Sequence, residues 1–175
     1  MNRRAPEDNK TLQSFDPVLP DTADKLILGS MPGIASLNAN EYYAHPRNGF
    51  WKILQAIYDG CIETYPQRLQ LLENNRIAVW DSLKYCQRQG SLDSKISADS
   101  VVANDFAGLL QTHPAITLIA FNGKAAEKWF RKLALPELQN EHALRFVSLP
   151  SSSPAMASLS LAAKTDIWHQ ALLPK

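Results

Sequence analysis

Cysteine, glycine-rich phosphate loops, an excess of charge and long apolar runs are all absent or scarce in this chain of 175 residues. Its two cysteines, Cys61 and Cys86, form no spaced pair. They are too few for a four-thiolate iron–sulfur cluster or a disulfide framework, so a reduced, cytoplasmic protein is expected. Among the 7 glycines there is no GxGxxG and no Gly-Lys-Ser/Thr, which excludes the dinucleotide fingerprint and the Walker loop. No GxSxG is present either, which argues against an α/β-hydrolase nucleophile elbow. Eighteen basic against 17 acidic residues leave a formal charge of +1, with no global pull toward nucleic acid or membrane. A local positive patch remains open. His45, His113, His142 and His169 lie far apart in sequence with no carboxylate-rich motif around them, so neither a metal nor another cofactor is expected. No stretch before Met31 has the apolar character of a signal segment.

What is present reads as an α/β protein. Hydrophobic residues make up 45% and charged residues 20%, ordinary for a globular fold. Residues 1–20 carry Pro6, Pro17 and Pro20 without periodicity and read as an extended or flexible N-terminal arm. Residues 21–175 read as a single domain. Lys25–Leu28, Ile77–Trp80, Thr117–Phe121 and Arg145–Leu149 are short apolar runs bounded by turn residues, as strands buried on both faces should be. Helical spacing lies between them. Phe50, Ile53, Leu54 and Ile57 share one face, with Gly60 as a stop. Ala126, Trp129, Phe130 and Leu133 repeat the pattern, Asn104 is placed to cap Asp105–Gln111, and Leu159–Leu173 makes a last amphipathic helix. This alternation predicts a three-layer α/β/α sandwich around a four-stranded parallel sheet. The irregular stretch Lys84–Ser100 is long enough to cover something.

Polar loops follow the strands, where open parallel sheets bind their ligands. Gly29-Ser30-Met31-Pro32-Gly33 gives a stiff turn with exposed amides that can hold a phosphate or a carbonyl oxygen. In Tyr42-Tyr43-Ala44-His45-Pro46-Arg47-Asn48-Gly49-Phe50-Trp51, an aromatic ring can stack on a base face. The Asn48 amide can orient water or hydrogen-bond a leaving group but cannot take a proton near neutrality. Phe50 and Trp51 fit the helix period and belong to the core; Tyr42 and Tyr43 read equally well as core or site. Leu149-Pro150-Ser151-Ser152-Ser153-Pro154-Ala155 is alone no more than a Ser/Pro linker, yet it follows the last strand. Asp81 ends the second strand, where an aspartate often caps a turn. Asn122-Gly123-Lys124 opens a helix in a way that suits an anion. Lys124, Lys128, Arg131 and Lys132 read as a solvated face, and Asp93 as an anchor of the covering segment.

Taken together, the first two motifs resemble the uracil-DNA glycosylase superfamily, closest to its hypoxanthine-DNA (deoxyinosine) and mismatch-specific uracil-DNA glycosylase branches. Val79-Trp80-Asp81-Ser82-Leu83, Gly90-Ser91-Leu92-Asp93-Ser94, Phe121-Asn122-Gly123-Lys124 and the Leu149–Ala155 loop extend the likeness over about residues 25–172. The resemblance implies a base flipped out of duplex DNA into a pocket. It places Tyr43 beneath that base, with Gly29, Ser30, Met31, Pro32, Gly33 and Asp81 around it. His45, Arg47, Asn122, Lys124, Pro150, Ser151, Ser152 and Ser153 would meet the DNA backbone. Met31 stands where related enzymes carry a water-handling Asp or Asn, and Leu149 where many have His or Asn, so those two roles cannot be transferred. In the hypoxanthine branch the catalytic amide comes from the segment that here ends in Asn48.

The expected activity is therefore monofunctional excision of a deaminated base from double-stranded DNA, hypoxanthine first, by a monomer without membrane attachment. Uracil or thymine opposite guanine is the alternative substrate, and a catalytically silent DNA-binding module the alternative role. Whether Asn48 positions water or holds the base stays open at this level.

Overall fold

Side chains that alternate above and below each strand set the layering of this protein. The computed structural model describes residues 11–139 and 141–173. In chain order its elements are β1 (Thr11–Gln13), β2 (Lys25–Gly29), α1 (Ile34–Ala39), α2 (Phe50–Tyr58), α3 (Tyr65–Asn74), β3 (Ile77–Asp81), β4 (Leu83–Gln87), β5 (Val102–Ala103), α4 (Phe106–Thr112), β6 (Leu118–Asn122), α5 (Lys124–Trp129), β7 (Arg145–Leu149) and α6 (Leu161–Leu172).

The main sheet runs β3-β2-β6-β7 with every pairing parallel. Ile27, Ile77, Val79, Leu118 and Ala120 face one layer, where they pack with Phe50, Leu54, Leu72 and Trp168 of α2, α3 and α6. Leu26, Leu28, Ala78, Trp80, Ile119 and Phe121 face the other, against Phe106, Leu109 and Ala126 of α4 and α5 and against Phe130 just beyond α5. The three-layer α/β/α arrangement read from the sequence is what forms. Phe50 and Trp51 lie in the core at 0% and 4% exposure.

The chain leaves β2 for β3 on one side and then returns past β2 to β6 on the other. The strand order therefore reverses beside β2, and such a switch point opens a crevice at the carboxyl ends of the strands.

Several local expectations are corrected. Asn104 does not cap α4. Asp105 does, accepting a hydrogen bond from the Gly108 N–H at 2.9 Å, while the Asn104 amide is buried and donates to the Asp81 carbonyl at 2.8 Å. Lys84–Ser100 is not irregular throughout, because Leu83–Gln87 is a strand in a second, antiparallel sheet ordered β1-β4-β5. Within the stretch 1–20, read as a loose or extended arm, Thr11–Gln13 forms β1 and Val18 bridges to Val79. Met1–Lys10 of that arm lie outside the described residues. Sequence periodicity also missed α3, although Thr64 and Gln67 form a reciprocal capping box with a proline in the first turn.

Phe130 is fully buried, edge-on to Phe106 with centroids 4.9 Å apart. Phe130→Ala should destabilise the fold by about 3–5 kcal/mol in urea titration. A loss under about 1 kcal/mol would contradict the packing described.

Candidate active site

The carboxyl ends of β2, β3, β6 and β7 open onto a cavity of about 460 Å³. This lies within the range of small-molecule sites. Of the residues singled out from the sequence, Asn48, the Gly29–Gly33 turn, Tyr43, Asp81, His45, Arg47, Asn122 and Ser151–Ser153 all line it. Lys124 and Pro150 do not. Lys124 is exposed on the first turn of α5, where solvent is its partner.

The 41–49 loop delivers Tyr43 and Asn48. A tight turn closes with the Asn48 N–H donating to the His45 carbonyl at 2.8 Å, and Pro46 sits second in it, where a fixed φ is favourable. Asn48 Oδ1 accepts from the Phe50 N–H at 3.0 Å, at the start of α2. A donor left over by the helix thus fixes the orientation of the amide. Among the described residues, no hydrogen bond engages Asn48 Nδ2, and the side chain borders the cavity half-buried. Tyr43 has φ of 54°, a left-handed conformation that a tyrosine adopts only under constraint. The constraint is visible. Its ring stacks on Phe50 with centroids 3.8 Å apart and 15° between planes. One ring face is thereby covered by core, and the residue borders the cavity.

Loops from three strands are tied to one another. Asn122 clamps the serine loop, donating from Nδ2 to Ser152 Oγ at 2.9 Å while accepting from the Ser152 N–H at 2.8 Å. The Gly49 N–H donates to the Ser152 carbonyl at 2.9 Å, which joins that loop to the Asn48 turn. Ser152 is 3% exposed, so its hydroxyl holds the loop and is unavailable to a phosphate. Gly123 has φ of 98°, and a Cβ there would come within 2.9 Å of Ser151 Cβ, so only glycine permits this approach.

Across the cavity, Ser30 Oγ donates to Asp93 Oδ1 at 2.6 Å, and Asp93 does anchor the covering segment. Arg88 was not foreseen. Its side chain is 0% exposed and donates to the carbonyls of Met31, Pro32 and Gly90, with Asp93 at 4.0 Å. An isolated arginine in a polar stretch leaves no periodic signal in a sequence. Met31 packs with Leu83, Cys86 and Trp129 at the cavity wall. Ser36, Ser91 and Leu92 also border the cavity unanticipated.

Asp81 is buried, 3% exposed. Burial, then the neighbouring Asp93, push its carboxyl up to about 8, while Arg88 pulls the other way. Burial and the same aspartate hold the Tyr43 phenol far above its ordinary value. Gly29 makes room for both, because a Cβ there would fall 2.5 Å from Asp81 Oδ1 and 3.0 Å from Tyr43 Oη. No group of three or more metal-ligating side chains occurs among the described residues, and no described helix is long and apolar enough to cross a membrane.

A switch-point cavity with a buttressed aromatic wall, an oriented amide and a buried acid is the architecture of a ligand-binding α/β domain. Comparisons with known proteins narrow this class. The profile of the Uracil DNA glycosylase superfamily matches residues 17–172. The chain is 37% identical over 119 residues to a hypoxanthine DNA glycosylase of Methanosarcina barkeri, covering 67% of this chain and 74% of that one. It is 39% identical over 119 residues to a hypoxanthine DNA glycosylase of Methanosarcina acetivorans, with the same coverage. A solution NMR structure from Methanosarcina acetivorans, described as a candidate uracil DNA glycosylase, superposes with a TM-score of 0.74 at 31% identity. That match covers 92% of this chain and 98% of the other. The chain belongs to the uracil DNA glycosylase superfamily. It is a DNA glycosylase, a hydrolase of N-glycosyl bonds.

Asp81 also makes stability depend on pH. Its folded value lies above the unfolded one, so between about pH 4 and pH 8 the native state holds a proton that the unfolded chain has lost. The stabilisation is complete below the unfolded value and disappears as pH rises toward 8. Denaturation measured from pH 4 to 9 should show this fall, and Asp81→Asn should flatten it. An unchanged slope in the variant would contradict the buried acid.

Proposed function

We propose that this glycosylase excises hypoxanthine from deoxyinosine in double-stranded DNA and leaves the strand uncut. The observation that carries the reading is the Asn48 amide at the cavity rim, with Oδ1 engaged by the helix and Nδ2 unengaged. A base inside the stack is beyond reach, so the nucleotide must swing out, and Tyr43 offers the surface on which it comes to rest. As the C1′–N9 bond breaks, the sugar gains oxocarbenium character and the electron pair leaves with the base. A preorganised donor aimed at that base is then worth most.

The engaged end of the amide favours one of the two roles left open by the sequence. Orienting an attacking water calls for an acceptor, and one of the two lone pairs of Oδ1 is already taken by the Phe50 N–H. The donor end carries no such engagement and suits the departing base. Water adds at C1′ to complete the hydrolysis, with no need of a metal or redox cofactor. The names of the two curated relatives support hypoxanthine as the base. Met31 at a position where uracil-type enzymes place a water-handling side chain points the same way.

Among the described residues no lysine borders the cavity, which supports hydrolysis by water rather than through a Schiff base and hence an uncut strand. On the DNA side, exposed Arg47 together with Ser151 and Ser153 is suited to phosphate contacts that position the duplex as a monomer binds it. Ser152 and Asn122 support that loop from within.

Single-turnover assays on duplexes carrying inosine, uracil or a G·T mismatch test the reading, scored as alkali-labile abasic sites. Inosine should be processed fastest, and Asn48→Ala should lower its rate by about 10²–10³-fold. The lost bond from the Phe50 N–H costs only about 1 kcal/mol of stability, so the variant should fold. Faster release of uracil or thymine would shift the substrate, strand cleavage without alkali would contradict the monofunctional reaction, and no release from any duplex would contradict catalysis.

A further inference from the structure

With the Asn48 amide turned toward the departing base, the attacking water still needs a group to take its proton. Met31 supplies none from the first turn. Among the described residues that border the cavity, Asp81, Asp93 and His45 are the candidate bases. Burial and the nearby Asp93 keep the proton on Asp81 up to about pH 8, so it cannot accept another at neutrality. His45 Nδ1 already accepts from the Arg47 N–H at 3.2 Å within its own turn. Of two carboxyls that share a cavity, the better solvated ionises first. That one is Asp93, whose side chain is 45% exposed.

Asp93 is also held as a base must be. Its segment is pinned to the first turn, where Ser91 Oγ accepts from the Ile34 N–H at 3.0 Å and Ser30 Oγ donates to Asp93 Oδ1 at 2.6 Å. Arg88 Nη1 stands 4.0 Å from the same oxygen. Oδ1 is thus occupied, and among the described residues no hydrogen bond engages Oδ2. Burial raises the carboxyl above its ordinary value, while the Ser30 bond and Arg88 pull it down. The net rise makes it a stronger base. The titratable and charged groups that face it are Asp81 at the end of β3, Cys86 on β4, Arg88 just beyond, and Tyr43 on the 41–49 loop.

We propose that Asp93 is the general base of the hydrolysis, with Oδ2 taking a proton from the water that attacks C1′ while Ser30 and Arg88 hold Oδ1. The inference rests on the glycosylase reading above and supplies the proton acceptor that reading lacks. As the water oxygen bonds to C1′, the C1′–N9 bond breaks and its electron pair leaves with the base. The water proton passes to Asp93 and then to solvent, and the base anion takes up a proton from solvent.

Single-turnover excision from inosine duplex between pH 4.5 and 8 tests the assignment, with duplex binding and circular dichroism recorded for each variant. Below the value at which Asp93 is protonated, the wild-type rate should fall by about tenfold per pH unit. Asp93→Asn can still accept from Ser30 but cannot take a proton. It should bind the duplex, lose about 10²-fold in rate at pH 7 and lose the acid fall. His45→Gln should keep that fall. An active wild type with a flat acid profile would overturn this inference alone. So would Asp93→Asn at the wild-type rate, or a slowed Asp93→Asn that keeps the acid fall, since Asp93 would then be an anchor and no more. A wild type inert on inosine duplex would overturn the glycosylase reading and this inference with it.

Discussion

The cavity depends on one buried guanidinium. Arg88 leaves the end of β4 and places its donors on the carbonyls of Met31 and Pro32 in the first turn and of Gly90 in the covering segment. Three carbonyls from two loops thus converge on one planar cation, which suits arginine's fixed fork and not lysine's point charge. With Asp93 at 4.0 Å and Ser30 bonded to Asp93, the turn and the covering segment behave as one wall. Without the cation, the Met31 and Pro32 carbonyls would be left buried and unpaired. On the opposite side, the Asn122–Ser152 clamp and the Gly49–Ser152 bond form a second wall that carries Asn48. The site is the gap between two internally bonded walls, set where the strand order reverses.

That gap holds the least comfortable residues of the protein. Tyr43 sits in a left-handed backbone conformation, Asp81 is buried with no partner for Oδ2 among the described residues, and Gly29 leaves the room that brings them together. Strain and unsatisfied groups of this kind persist where surrounding packing over-determines them. Here Phe50 is that packing. It stacks on Tyr43, meets Trp51 and Trp168 edge-on, and begins the helix that also orients Asn48. Core and cavity meet in a single aromatic residue, so the hydrophobic layer holds the conformation of Tyr43 and the orientation of Asn48.

Much of this was legible in the sequence, for physical reasons that differ by element. The four parallel strands announced themselves because both of their faces are buried, which leaves unbroken apolar runs bounded by turn residues. The loops beyond them were legible as a set because a parallel sheet gathers its carboxyl ends. Features that rest on single polar contacts were not. Arg88 looks like any surface charge until its carbonyl partners are seen, and Asn104 looks like a helix cap until its amide is found on the Asp81 carbonyl. Ser152 is indistinguishable in sequence from Ser151 and Ser153, yet it faces inward. The strand Leu83–Gln87 was hidden because it lies in a small sheet with mixed exposure, and α3 because its apolar face is weak beside its capping box.

The central claim is that one extruded hypoxanthine occupies this cavity, resting on Tyr43 between the Asn48 amide at the rim and Asp81 below. The most direct measurement is a crystal structure with duplex DNA that carries 2′-fluoro-deoxyinosine, whose glycosidic bond resists cleavage. The account predicts the base stacked on Tyr43 with Asn48 Nδ2 within hydrogen-bond distance of the ring. A base left in the helical stack, or seated with its sugar toward Asp81, would contradict it.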